Sequence, residues 1–558
     1  MTAVPTICGE GRAAGIAAVA ASAVGQAVAA GIAAIATRQI FRDLHYGDAG
    51  LPVVPLAILF LAGAAIAGLR VWGRVAGEKL GQDYAISLRR ALFTQLTLMP
   101  ASVVANRRNG ALALRFVGDL ATARNWVGLG IARIISAAIV VPGAAAVLLA
   151  LNLNLGLAAV APLAVALAVM LAMAPWIAPL HKRLRRRRAG LAIDMMERVS
   201  VAPDLMLMGR DKIELKKLSK RSRELGTAAV GRALGAAALR GLPEIGSAAA
   251  AACLLLAAFH GDATPAEAAG ALAVLAILAQ PMRDLAGVWD HRCAWRIARH
   301  KCEILFASPT LEPANVTRTP RPKGPARLVF KHAAKGALLD LDATATPGAK
   351  IAISGANGAG KSTCLALAAG LEFADHGRVE IDGVDISALR HRDRQRSVFY
   401  IGPRTPILRG SLRRTLTLGI RPRPDDVAIE AVARDFGLAD VLARLGGLDG
   451  KVSEGGHNLS SGEARRIRLV RAALSQPRLL LLDELDAVLD AKGRDAVRTL
   501  VRETTATTLF VTNDPRLIAC ADIAWHLDRG TIVERTLVND PSAGDGPTDH
   551  TDHPRMIA

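Results

Sequence analysis

Residues Gly355, Ala356, Asn357, Gly358, Ala359, Gly360, Lys361, Ser362 and Thr363 follow the spacing G-x-x-x-x-G-K-[ST], directly after a β-like run at 350–353. Glycines so placed let a loop turn consecutive backbone N–H groups onto one anion, at the N-terminus of the helix that follows. Lys361 is then placed to reach the β- and γ-phosphates of a nucleotide, and the Ser362 hydroxyl to ligate Mg²⁺. A chance match in a glycine-rich chain would lack the strand before and the helical run "STCLALAAG" after. ATP and Mg²⁺ are the cofactors expected.

A phosphate cradle must be held by an α/β domain, yet the first half of the chain is apolar. The protein has 558 residues, of which 51% are hydrophobic and only 4% aromatic. That length suggests two to four domains, and the apolar bulk of small and aliphatic residues suits helices that approach closely in lipid. The six cysteines are scattered with no C-x-x-C pair, which indicates neither a disulfide framework nor a zinc site. The net charge of +20 could point to nucleic acid. However, the basic runs "HKRLRRRR" (181–188) and "RDKIELKKLSKRSR" (210–223) lie beside hydrophobic stretches. That is the pattern of cytoplasmic loops, and no nucleic-acid partner is expected.

Six stretches, at about 13–36, 52–72, 128–151, 155–179, 239–259 and 267–289, are each near the roughly 20 residues needed to span a bilayer. The first lacks a basic n-region and a clear exit site, and reads as a retained helix. Basic residues between spans two and three and between four and five place both long loops and both termini in the cytoplasm. Arg38 and Arg42, in the first outer loop, fit this poorly. The long inner loops keep apolar residues at helical spacing, so the helices should continue past the membrane. Residues 1–307 are thus an all-α six-helix transmembrane domain, and 308–325 form a Pro/Thr/Lys-rich linker. Residues 326–537 alternate β-like and helical runs as an α/β domain, and 538–558 read as a disordered tail.

Further motifs make the family specific. "NLSSGEARRIRLVRAAL" contains Leu459-Ser460-Ser461-Gly462-Glu463, "RLLLLDE" ends in Asp483 and Glu484, and "AVLD" occupies 487–490. With the P-loop, these resemble an ABC transporter of the exporter-type fold, written as a half-transporter. The resemblance implies that Asp483 holds Mg²⁺ and Glu484 polarises the attacking water. It implies that Ser460 and Gly462 of one chain meet the γ-phosphate bound by a second. The adenine-stacking position falls on His332, with Phe330 nearby, and Glu454 sits in the loop that touches coupling helices. Residues 107–127 are similar to the first coupling segment.

The chain also departs from the family. Asn513 stands where the switch histidine belongs. It can donate a hydrogen bond but carries neither charge nor proton. Pro403 or Arg404 occupies the Q-loop glutamine position, and Ser461 and Glu463 replace Gly and Gln of the signature. The function expected is an ATP-driven exporter of an amphipathic, lipidic or peptide cargo. It would work as a dimer of half-transporters in a bacterial inner membrane, surrounded by lipid, with its ATPase domain in the cytoplasm. A homodimer is preferred to a heterodimer. The alternative is a partly degenerate regulatory subunit of a heterodimeric transporter. A membrane-anchored kinase or GTPase would leave the signature helix without a purpose. Ionisable and polar groups within spans (Gln280, Arg283, Asp284, Glu244) are the candidates for a transport path.

Overall fold

The computed structural model describes residues 4–46, 51–107, 112, 115–261, 263–311, 324–402, 405–483 and 491–538. The chain divides into two compact units. One comprises Met1–Thr97 with Asn106–Ser308, the other Leu98–Ala105 with Pro309–Ala558.

The first unit is built from six helices, each long and apolar enough to cross a membrane: α1 (Ala13–Tyr46), α2 (Val53–Leu98), α3 (Phe116–Leu151), α4 (Leu153–Ser200), α5 (Asp211–His260) and α6 (Pro265–Phe306). The 50 residues of α5 extend about 75 Å at 1.5 Å per residue, more than twice the roughly 30 Å hydrocarbon core of a bilayer. The helices therefore run well beyond any membrane they cross, as the helical spacing of the long loops requires.

Polar side chains cap the short connections. Asn152 accepts from the amides of Asn154 and Leu155 to start α4. Thr264 and Glu267 form a reciprocal capping box at the start of α6, with Pro265 in the first helical turn. Small residues set the packing. A Cβ on Gly77 of α2 would sit 2.6 Å from the Gly128 carbonyl of α3, and one on Gly128 would sit 2.8 Å from that of Gly77. The two backbones approach as closely as only glycine allows. A core of Ala34, Ala144, Leu148, Ala159, Leu163, Leu254, Val274 and Leu278 joins α1, α3, α4, α5 and α6. Outward-facing residues such as Val53, Phe60, Trp176 and Phe259 are exposed, as lipid-facing residues are.

The second unit is a mixed α/β domain. Among the described residues its strands are β1 (Leu328–Lys335), β2 (Leu338–Ala345), β3 (Lys350–Gly355), β4 (His376–Ile381), β5 (Val384–Asp385), β6 (Val398–Ile401), β7 (Gly410–Ser411), β8 (Lys451–Val452), β9 (Leu479–Asp483), β10 (Thr507–Val511), β11 (Ile523–Asp528) and β12 (Thr531–Leu537). Ten of them form one sheet in the order β5-β4-β1-β2-β12-β11-β3-β10-β9-β6, and β7 pairs with β8. β11, β3, β10, β9 and β6 run parallel. Strand residues alternate between two cores. Ile351, Ile353, Leu479, Leu481, Leu509 and Val511 face one, and Ala352, Leu480, Leu482 and Phe510 face the other. Both faces are covered by helices, so these strands read as continuous apolar runs. The helix after β3, α7 (Lys361–Ala368), packs on the first face, and α8 (Ser461–Ser475) on the second.

This unit also takes in a piece of the connection between α2 and α3. The short helix Ala101–Ala105 lies against the turn after α7. The Ala101 amide donates to the Leu371 carbonyl at 3.0 Å, and the Ser102 amide to Glu372 Oε1 at 2.5 Å. Leu98–Ala105 thus belongs to the α/β unit; of the expected coupling segment 107–127, residues 108–111, 113 and 114 lie outside the described residues. The fold is the expected one, a six-helix all-α part followed by an α/β P-loop domain.

Candidate nucleotide-binding site

The sheet aligns the site. In the registers of β3, β10 and β9, Ile353 pairs with Val511 and Val511 with Asp483, so three parallel strands end side by side. Loops leaving the carboxyl ends of such strands are where α/β sheets hold ligands. The P-loop leaves β3, Asn513 follows β10 by two residues, and Asp483 closes β9.

The P-loop backbone can be made only with glycine at its first position. Gly355 has φ +137°, and a Cβ there would collide with the Leu527 carbonyl on the neighbouring β11. Gly360 has φ +101° and opens α7, whose first turn presents Lys361, Ser362 and Thr363. The Lys361 ammonium, 6% exposed, donates to the carbonyls of Gly355 at 2.7 Å and Ala356 at 2.9 Å. These bonds fold the lysine over the loop that Ala356, Asn357, Gly358 and Ala359 complete. The start of β3 is anchored as firmly. The Lys350 ammonium donates to the carbonyls of Thr504 and Ala506, and burial lowers its pKa.

The residues expected to hold a metal come together. Ser362 Oγ donates to Asp483 Oδ1 at 3.1 Å across 121 residues of sequence. A hydroxyl and a carboxylate are hard oxygen ligands of the kind Mg²⁺ prefers, and they sit at the end of the anion cradle, so the residues present fit the metal. Among the described residues no cluster of three or more His, Cys, Asp or Glu forms elsewhere.

One residue of this site is not singled out by any motif. The Tyr400 hydroxyl, on β6, donates to the second oxygen of Asp483, Oδ2, at 3.1 Å. The two Asp483 oxygens thus each accept a hydroxyl hydrogen, and the carboxylate, 2% exposed, is fixed in rotation. A Cβ on Gly402 would collide with that hydroxyl, so the small residue makes room for the ring. An aromatic in a strand is usually core; only the pairing of β6 with β9 marks this one.

The other expected residues are dispersed. Ser460 caps α8. Its hydroxyl accepts from the Glu463 amide at 3.2 Å, and Glu463 Oε2 accepts from the Ser460 amide at 2.8 Å and from Arg444 at 2.8 Å. Burial raises the Glu463 pKa, but the Ser460 amide and Arg444 outweigh it and the net shift is downward. Glutamate at that position completes a capping box, and Gly462 lies in the half-buried first turn with only Arg466 within 4 Å of a would-be Cβ. Asn513 is exposed. His332 occupies a bulge of β1 at φ +47°; its side chain is 75% exposed and Nδ1 lies 3.1 Å from Asp340 Oδ1. Phe330 is fully buried against Trp525, with ring centroids 6.4 Å apart, and belongs to the core. Glu484, Pro403 and Arg404 lie outside the described residues.

Two family models match this chain: the ABC transporter transmembrane region over residues 14–281 and the ABC transporter domain over 338–487. The chain belongs to the ABC transporters. Its fold is that of an exporter half-transporter: a bacterial Atm1-family ABC exporter with ATP bound matches at TM-score 0.81 and 21% identity, over 94% of this chain and 95% of the other. The ATP-dependent lipid A-core flippase of Pseudomonas putida is 26% identical over 89% of this chain and 84% of its own length. The mycobactin import ATP-binding/permease protein IrtB of Mycolicibacterium smegmatis is 30% identical, but over only 52% of this chain. The chain spans about half of the length of IrtB. In this ABC transporter the P-loop, Asp483 and the signature turn lie on one ATP-binding cassette, and the six spans precede it.

Proposed function

We propose that this chain is a half-transporter that couples ATP hydrolysis to movement of an amphipathic or lipidic cargo across a bacterial inner membrane, as a dimer. The observation that carries this is the Lys361, Ser362 and Asp483 set at the ends of adjacent parallel strands, in one chain with six membrane-spanning helices. The Lys361 ammonium exchanges the Gly355 and Ala356 carbonyls it now donates to for oxygens of the β- and γ-phosphates, while the amides of residues 356–363 surround the anion. Ser362 and Asp483 would hold Mg²⁺, which when bound offsets phosphate charge. Glu484, one residue past β9, is assigned to orient the attacking water. Ser460 and Gly462 lie at the start of α8, where the helix dipole favours an anion such as the γ-phosphate on a partner cassette. His332 is assigned to the adenine face.

The basic 181–188 and 210–223 runs support a cytoplasmic cassette. A second reading, as the slower half of a heterodimer, is favoured by Asn513 at the switch position. The test is ATPase activity of the purified chain in lipid nanodiscs, beside Lys361→Ala. Hydrolysis by the parent and loss of nucleotide binding in the variant are expected. Unchanged ATP affinity in Lys361→Ala would refute the site, and no hydrolysis by the parent alone would favour the heterodimer.

A further inference from the structure

The six-helix unit contains a cavity of about 480 Å³ between α1, α2, α3 and α6. Its polar wall includes Gln26, Arg70, Arg74, Arg133, Gln280 and Asp284. Three guanidiniums and one carboxylate leave an excess of two positive charges. Asp284 is engaged by Arg133, at 3.6 Å. Arg133 also packs against α6, with Nη1 3.1 Å from where a Cβ on Gly287 would lie. Arg70 and Arg74 pair with no carboxylate among the described residues. They stand four residues apart on α2, one turn above the other, and so share a face. The rest of the lining is largely aliphatic, with Val75, Leu129 and Val140 among it.

Unpaired guanidiniums near hydrocarbon are unfavourable unless an anion meets them. Two such groups one helical turn apart carry two positive charges, of which a lone carboxylate offsets only one. A phosphate monoester carries between one and two negative charges and three acceptor oxygens, and matches two guanidinium forks. The volume lies within the range of about 300–1,000 Å³ typical of small-molecule sites, and the aliphatic wall suits an attached chain.

We infer that this cavity is a binding site for an amphiphile with a phosphate headgroup, with Arg70 and Arg74 on the phosphate and the aliphatic wall on its chain. The assignment rests on the transporter reading above and narrows its cargo.

The test uses the full chain in phosphatidylcholine nanodiscs, without nucleotide, titrated with four probes by calorimetry. These are a short-chain phosphatidic acid, the phosphatidylcholine of the same chains, the corresponding fatty acid and inorganic phosphate. Phosphatidic acid should bind tightest. In the double variant Arg70→Gln, Arg74→Gln its affinity should fall on the order of ten- to hundredfold, the loss of one or two charge-assisted contacts. The double variant Arg70→Lys, Arg74→Lys should lose less, because it keeps the charge without the forks. A cooperative thermal transition like the parent's controls for folding. Equal binding of phosphatidic acid and phosphatidylcholine, or an undiminished affinity in the glutamine variant, would overturn the site and leave the two arginines as anchors to bulk lipid. Inorganic phosphate binding as tightly as the lipid would overturn the amphiphile and leave a free anion as ligand. Because binding is read without hydrolysis, a chain that hydrolyses ATP but does not select phosphatidic acid refutes this inference alone. One that selects it but never hydrolyses ATP refutes the transporter reading alone.

Discussion

Replacing Tyr400 with phenylalanine removes one hydroxyl and leaves the ring in its place between β6 and Asp483. The hydroxyl donates at 3.1 Å to Asp483 Oδ2, while Ser362 holds Oδ1 at the same distance. A hydrogen bond to a charged group contributes about 1.5–3 kcal/mol. At 3.1 Å the Tyr400 bond is longer than the roughly 2.5–2.7 Å of strong O–H···O⁻ pairs, so the lower end applies. About 1.5 kcal/mol corresponds to roughly a tenfold change in an equilibrium. If Tyr400 positions Asp483 for Mg²⁺, the change should appear in metal dependence, where loss of an orienting partner shifts affinity by about 10–100-fold. The assay is binding of a fluorescent ATP analogue at fixed concentration, titrated with Mg²⁺, for the parent, Tyr400→Phe and Tyr400→Ala. The midpoint for Mg²⁺ should rise about tenfold in Tyr400→Phe. The metal-free affinity measured on the same samples tells a metal effect from a general loss of folding. A Mg²⁺ midpoint equal to the parent's in Tyr400→Phe would refute the reasoning, and Tyr400 would be a packing residue of the β6–β9 edge.

Glu484→Gln should bind ATP but accumulate a closed, nucleotide-bound dimer, seen by size exclusion; turnover at the parent rate would remove Glu484 from the role of water-orienting base. Asn513→His should raise ATPase turnover by about 10–100-fold if the missing charged hydrogen bond is felt in the transition state, and an unmoved rate would show that another residue performs the switch. Burial, reinforced by the nearby Asp483 charge, pushes the Cys364 thiol up to about 12. It should therefore resist iodoacetamide at pH 8 in the folded protein and react once unfolded. Because that folded pKa lies above the unfolded value, the thiol's contribution to stability is complete below about pH 9 and declines as pH rises toward 12. Rapid labelling of native Cys364 would contradict this. Glu463 is the opposite case: its pKa is lowered in the fold, so its cap on α8 should persist above about pH 4.5 and be lost as pH falls further. Glu463→Ala should accordingly lose thermal stability at pH 7 relative to the parent, and the difference should shrink in acid.

The parts of this protein that are contiguous in sequence are legible without coordinates. The P-loop is one run of nine residues whose glycines, lysine and serine act through local backbone geometry, and Gly355 does take the positive φ that a side chain would forbid. The six spans follow from hydropathy alone, because a helix in lipid satisfies its own backbone hydrogen bonds. The signature turn carries its own cap, with Ser460 and Glu463 three residues apart. What joins distant segments was decided only by the tertiary structure. Tyr400 meets Asp483 across 83 residues because β6 pairs with β9, and strand order is a property of the whole sheet. Arg70 and Arg74 share a cavity, with no carboxylate partner among the described residues, only because α3 and α6 pack beside α2 and Arg133 takes Asp284. The segment 98–105 joined the α/β unit through its own backbone amides, one on the Leu371 carbonyl and one on the Glu372 carboxylate, and an amide leaves no residue-type signal in the segment that donates it. Local geometry writes itself into residue type and spacing; contacts between elements depend on how the elements pack, and single residues record that packing weakly.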